Sequence, residues 1–304
     1  MRLRHHIKDY NKPEFTAALD KLGIRYKTKR IEGTGQTDAW DCFDLFVYDD
    51  DARWPTLHEL AAKHGVRVFH SPIFSHDDVA SAPWLLASAT ADAGYPQPEK
   101  AFAYESESFD LTHWCSRCGI GKVQTRPIRL KAEPKNKTAH FFAPQWLHQI
   151  LFLRPEVRDV FEAERVSGAR YLAPLKHRTG TALETVIQIV PATTAPAGMV
   201  GIVQEQVTCS PHDDEMSRIR IPSEGRGSLN GGFCDRIKYH VPHRRRIVHY
   251  SRSAFEDAPD IVLSAEWFGS GAAASQHVIV SNKVARLMLA HKWKGLELEP
   301  IQLV

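Results

Sequence analysis

Trp114-Cys115-Ser116-Arg117-Cys118-Gly119-Ile120-Gly121-Lys122 places two cysteines two residues apart and follows the second with glycine. A tight turn of this kind puts both sulfurs on one side of the backbone, and the glycine supplies the positive φ that lets N–H groups approach them. Zn²⁺ takes four soft or borderline ligands in a tetrahedron, so this zinc-ribbon-like knuckle offers half of a site. A structural metal is implied, and a structural metal names no activity. A redox reading requires the CxxC to open a helix after a strand. Here Gly119, Gly121 and a β-like run from Val123 follow instead.

The remaining ligands must come from farther along the chain. Cys115, Cys118, Cys209 and Cys234 form the first-choice four-cysteine set. His212, His240 and His243 lie beside the two late cysteines, and a second choice replaces one thiolate with a histidine. A closed four-thiolate site leaves no open position for water and predicts stability rather than catalysis. Cys42 sits inside the apolar run from Asp41 to Tyr48 and reads as a small buried hydrophobe.

With 304 residues, 43% hydrophobic and 25% charged, the chain is of ordinary globular composition and long enough for two modest domains. A net charge of +3 is too mild to imply a nucleic-acid partner by itself. The start Met1-Arg2-Leu3-Arg4-His5-His6 lacks the apolar core of a signal peptide. No run approaches the ~20 apolar residues of a membrane span, so a cytoplasmic protein without a membrane partner is expected. Five cysteines, an odd number with two in a CxxC, suit reduced thiols and a metal better than a disulfide framework.

The punctuation of the chain predicts an α+β fold: a small N-terminal α/β subdomain over residues 1–92 and a larger α+β domain over 93–304 that holds the knuckle. In the first part, strands near residues 2–8, 25–31, 41–48 and 66–70 alternate with two helices in a βαββαβ-like order. Asn11 reads as the cap of the first helix, Pro13 and Pro55 open the two helices, and Gly23 and Gly65 end them. The turn-rich Ala93-Gly94-Tyr95-Pro96-Gln97-Pro98-Glu99 separates the parts. Beyond it, helices are expected from Pro144 to Leu153 and from Pro155 to Arg165, and a short one from Ser264 to Phe268. Residues 212–232 read as a long polar surface insertion. A strand, a helix from Asn282 and a final strand from Leu296 close the chain in a βαβ-like unit.

No catalytic constellation stands out. Gly269-Ser270-Gly271-Ala272 lacks the lysine and spacing of a phosphate loop, so close packing is the reading for its small residues. Arg244-Arg245-Arg246 can touch phosphate or an acidic partner, but with Ile247-Val248 following, the exposed face of a strand and its flank is the favoured reading. The acidic residues show no paired spacing, and no serine or cysteine sits in a nucleophile elbow.

Five blocks in order carry a resemblance: Tyr95 to Glu99; Cys115 to Gln124; Cys234-Asp235-Arg236-Ile237-Lys238-Tyr239 with Pro242-His243; Glu266 to Ala273; and Lys294 to Pro300. Together they resemble a bacterial family of double-CXXCG-motif proteins, mostly of unknown activity. That family is similar to the immunity proteins of myxobacterial contact-dependent toxin systems. The resemblance implies a non-enzymatic, immunity-type binding protein whose partner is a cognate protein toxin. In the second motif this chain has Gly231 where a cysteine would fall and Asp235 in place of the glycine. Cys209 then either supplies the missing thiolate across a long insertion or leaves the second knuckle incomplete. The alternative function is a zinc-ribbon-like nucleic-acid binder acting through Arg244 to Arg246.

Overall fold

A computed structural model describes residues 2–32, 39–201, 206–219, 232–239 and 248–304. The chain folds as two units, the first running to Ser75 and the second beginning at His76.

The first unit has the expected βαββαβ order: β1 (Arg2–Tyr10), α1 (Pro13–Lys21), β2 (Lys27–Ile31), β3 (Trp40–Tyr48), α2 (Trp54–Lys63) and β4 (Val68–Ile73). Its antiparallel sheet runs β2-β3-β1-β4. Ile7, Phe43, Leu45 and Val47 alternate along the central strands and are buried against Phe15 and Leu19 of α1 and Leu57 and Ala61 of α2. One sheet face is thereby covered. Asn11 does not cap α1; it takes φ +47, and the helix begins at Pro13 after Lys12. Asparagine tolerates this left-handed position, so it turns the chain out of β1 instead.

The expected border at 92/93 lies inside the second unit. After α3 (His76–Ser81), β5 (Trp84–Ala89) takes an interior place in a six-stranded sheet, between the strands Ser275–Ser281 and Leu296–Pro300. The full order is Gln206–Thr208, Ile237–Tyr239, Ile261–Phe268, Ser275–Ser281, β5, Leu296–Pro300. The closing strand–helix–strand unit therefore straddles β5. Ser264 to Phe268 belongs to a strand, not a helix, because alternate side chains there enter the core.

A second, four-stranded sheet is formed by Phe141–Phe142, Leu151–Leu153, Ile187–Pro191 and Ala169–Leu172. The helix Pro155–Ala163 is present, but the one expected from Pro144 is a series of turns leading into Leu151–Leu153. Trp146 sits at φ +70 there, which no right-handed helix admits. Leu85, Leu151, Leu153, Val157, Phe161, Val280, Val284 and Met288 share one core, contributed by both sheets and two helices. Of the long polar insertion, Asp214–Arg218 is a short helix capped by the Asp213 carboxylate, which accepts from the N–H groups of Glu215 and Met216. No helix among the described residues is long and apolar enough to cross a membrane.

Candidate metal centre

The knuckle is built by backbone geometry. Cys115 N–H donates to the Ile120 carbonyl at 2.9 Å and Gly119 N–H to the Cys115 carbonyl at 2.7 Å. Gly119 adopts φ +83, and a Cβ there would stand 2.6 Å from Ala274 N. The glycine is thus required by both its conformation and the chain passing over it. That chain is the small-residue loop from Gly269 to Ala274, whose close packing is the role the sequence suggested.

The other two cysteines come from the edge of the six-stranded sheet. Gln206–Thr208 pairs antiparallel with Ile237–Tyr239, with Val207 opposite Lys238. Continuing outward, Cys209 N–H donates to the Arg236 carbonyl and Asp235 N–H to the Cys209 carbonyl, each at 2.9 Å. Asp235 stands at φ +55, a left-handed conformation like that of Gly119 after the first knuckle. Aspartate tolerates that region better than most side chains, so the chain turns after Cys234 without a glycine.

All four sulfurs lie within 4.8 Å of one another. Cys115 Sγ is 3.7 Å from Cys209 Sγ, and Cys118 Sγ is 3.7 Å from Cys234 Sγ. These separations are far beyond a disulfide, and the cysteines are free thiols. They match the edge of a tetrahedron around an ion bonded to sulfur at ~2.3 Å, which is ~3.8 Å. Cys115, Cys118 and Cys209 are buried and Cys234 half-buried, packed with Ile120, Val207, Met216 and Ala274. The four residues can hold a metal ion.

Charge supports the same fit. The Cys118 thiol holds Cys115 well down, to about 4, and backbone N–H groups of Cys118 and Arg117 add to this against burial. Cys118 is pushed up by giving that bond to Cys115 and by burial. Burial raises Cys209 to about 11, and the neighbouring Cys115 charge adds to the rise. Four thiolates gathered in one such cluster need a cation among them.

Two cationic side chains brace the cluster. Arg236 Nε lies 3.3 Å from Cys234 Sγ, and its Nη2 donates to the carbonyls of His113 at 2.8 Å and Ile120 at 3.1 Å. Arg236 therefore clamps the late hairpin to the early knuckle. Lys238 is fully buried, and its Nζ donates to the carbonyls of Cys118 at 3.4 Å, Ala273 at 3.3 Å and Gly271. Burial lowers its pKa, while Glu215 and the cysteine cluster oppose that shift. Neither cation was singled out from sequence; their place two and four residues after Cys234 was the available signal.

Of the alternates, His212 is exposed and is not among the clustered donors. His240 and His243 lie outside the described residues, as do Gly231 and Arg244 to Arg246. No family model matches the chain, and no curated protein matches it.

Proposed function

We propose that Cys115, Cys118, Cys209 and Cys234 hold one zinc ion in a closed structural site, and that the protein works by binding another macromolecule rather than by catalysis. The tetrahedral spacing of the four sulfurs carries the metal assignment. An all-thiolate set favours zinc over the oxygen-preferring cations. The two cations against the cluster offset the net negative charge of a zinc tetrathiolate.

The partner class rests on the sequence blocks between Tyr95 and Pro300, which resemble the double-CXXCG family. On that reading the protein is of the immunity type and neutralises a cognate toxin by occluding it. The zinc then fixes the loops that carry the later blocks, so that the binding surface is rigid before the partner arrives.

Elemental analysis of untagged protein, with a thiol count before and after chelation, tests the site. One zinc per chain and four protected thiols are expected, and Cys209→Ser should lose most of the zinc. Full zinc retention in that variant would remove Cys209 from the ligand set. The partner reading is tested separately by co-purification with the polypeptide encoded beside this one. A stoichiometric complex is expected, and its absence would sink the immunity role while leaving the zinc assignment standing.

A further inference from the structure

The face of the first unit's sheet opposite its two helices has its own chemistry. β1 presents Arg4, His6, Lys8 and Tyr10 on this face, alternating with the buried His5, Ile7 and Asp9. β3 presents Asp44, Phe46 and Tyr48, alternating with the buried Leu45 and Val47. The register sets Arg4 opposite Tyr48, His6 opposite Phe46 and Lys8 opposite Asp44. On the flanking strands, Phe69 and Ser71 stand opposite His6 and Arg4, and Lys27 and Lys29 stand opposite Asp44 and Cys42.

The rings and cations are arranged together. The His6 imidazole lies over Phe46 with centroids 4.4 Å apart and planes 21° from parallel, and the Arg4 guanidinium sits 5.1 Å from the same ring. Phe46 still keeps 48% of its surface exposed, and Tyr10 keeps 37%. His6 Nε2 engages Asp44 at 2.6 Å. Arg4, Lys8, Lys27 and Lys29 make no ion pair among the described residues. The whole chain carries a net charge of only +3, so this is a local concentration of positive charge.

Exposed rings on a sheet face want a flat apolar partner, and cations at strand spacing around them want repeated anions. An acidic peptide supplies only the anions. An apolar protein surface supplies only the first and would desolvate the cations. A single nucleic-acid strand supplies both, bases stacking on the rings while phosphates meet the cations. Asp44, which also meets His6, and Ser71, opposite Arg4, stand on the same face as acceptors for a ribose 2′-hydroxyl.

We propose that this face binds single-stranded RNA, with bases stacked on Phe46 and Tyr10 and phosphates held by Arg4, Lys8, Lys27 and Lys29. The surface lies outside the blocks that resemble the double-CXXCG family and belongs to the first unit, whereas the four cysteines belong to the second. The expected mode is sequence-tolerant, because every base has a π-face.

Fluorescence anisotropy of the full chain with a labelled random-sequence RNA of about ten nucleotides tests it, at several salt concentrations. Saturable binding is expected, with log affinity falling against log salt by about 0.7 for each phosphate contacted. Phe46→Ala should weaken binding about tenfold, and Phe46→Trp should restore it. The double variant Lys8→Ala/Lys29→Ala should flatten the salt slope by about 1.4. Lys21→Ala, a charge removed from the covered side, should leave affinity unchanged. Circular dichroism would show that each variant keeps its secondary structure. No binding at low salt, or binding indifferent to Phe46→Ala, overturns the proposal. Equal affinity for DNA of the same length overturns the assignment to RNA.

Discussion

Gly119 and Asp235 each follow a cysteine of the cluster, and each stands at positive φ, +83 and +55. Their tolerance of substitution should nevertheless differ. Gly119 is hemmed in, because a Cβ would meet Ala274 N at 2.6 Å and the Ala272 carbonyl at 2.7 Å, both backbone atoms that cannot swing away. Gly119→Ala therefore combines left-handed strain with a backbone clash and should cost more than about 2 kcal/mol. Asp235 already accommodates a side chain, exposed to solvent. Asp235→Gly relieves its conformational strain and should change stability by less than about 1 kcal/mol. Thermal denaturation and zinc content of the two variants check this together. Equal loss in both would mean that the turn after Cys234 depends on the aspartate side chain itself.

At the scale of elements, Asp260 joins the six-stranded and four-stranded sheets of the second unit. Its Oδ2 accepts from Ser167 N–H at 2.9 Å and Ser167 Oγ at 3.0 Å, and its Oδ1 accepts from Ser281 Oγ at 2.7 Å. Lys283 Nζ lies 3.8 Å from Oδ2. Burial opposes the charge, but the Ser167 N–H, the two hydroxyls and Lys283 outweigh it, so the carboxyl is held below its ordinary value. A depressed folded-state pKa contributes stability that is present above the unfolded value of about 3.9 and is lost as pH falls through the folded one. Asp260→Asn should cost about 1–2 kcal/mol at neutral pH. The difference from the parent should shrink below about pH 4, as followed by urea denaturation at stepped pH. A pH-independent difference would show that packing, not charge, is what the substitution removes. None of these partners is legible from sequence, since Ser167 and Asp260 are 93 residues apart. The same limit applies to the metal cluster: the knuckle announces itself by spacing, whereas Cys115 and Cys209 are 94 residues apart and meet only through the sheet edge. Local rules succeed where the pattern is local. The first unit's strands alternate with period two, and Pro13, Pro55, Gly23 and Gly65 bracket its helices. Ala265 and Glu266 favour a helix by propensity, yet they lie in a strand whose neighbours Ile261, Val262 and Phe268 are buried. Tertiary packing decides there.

At the scale of the molecule, the two units carry separate cores. Ile7, Phe15, Leu19, Phe43 and Leu57 belong to the first, whereas Leu85, Leu153, Val157, Phe161 and Val280 belong to the second. The four cysteines and their packing partners lie wholly in the second unit. Metal bound only by the folded state adds its binding free energy to the stability of the unit that holds it, and to no other. Calorimetry of the full chain should therefore resolve two transitions, of which a chelator lowers one. Phe161→Ala, which empties a buried site in the second core, should lower that same transition by about 3–5 kcal/mol. Leu19→Ala should lower the other by about 2–5 kcal/mol and leave the chelator-sensitive one in place. One transition that responds to all three perturbations would mean that the units unfold cooperatively. In that case the metal stabilises the RNA-facing sheet as well as its own loops, and chelation should weaken RNA binding in parallel with melting.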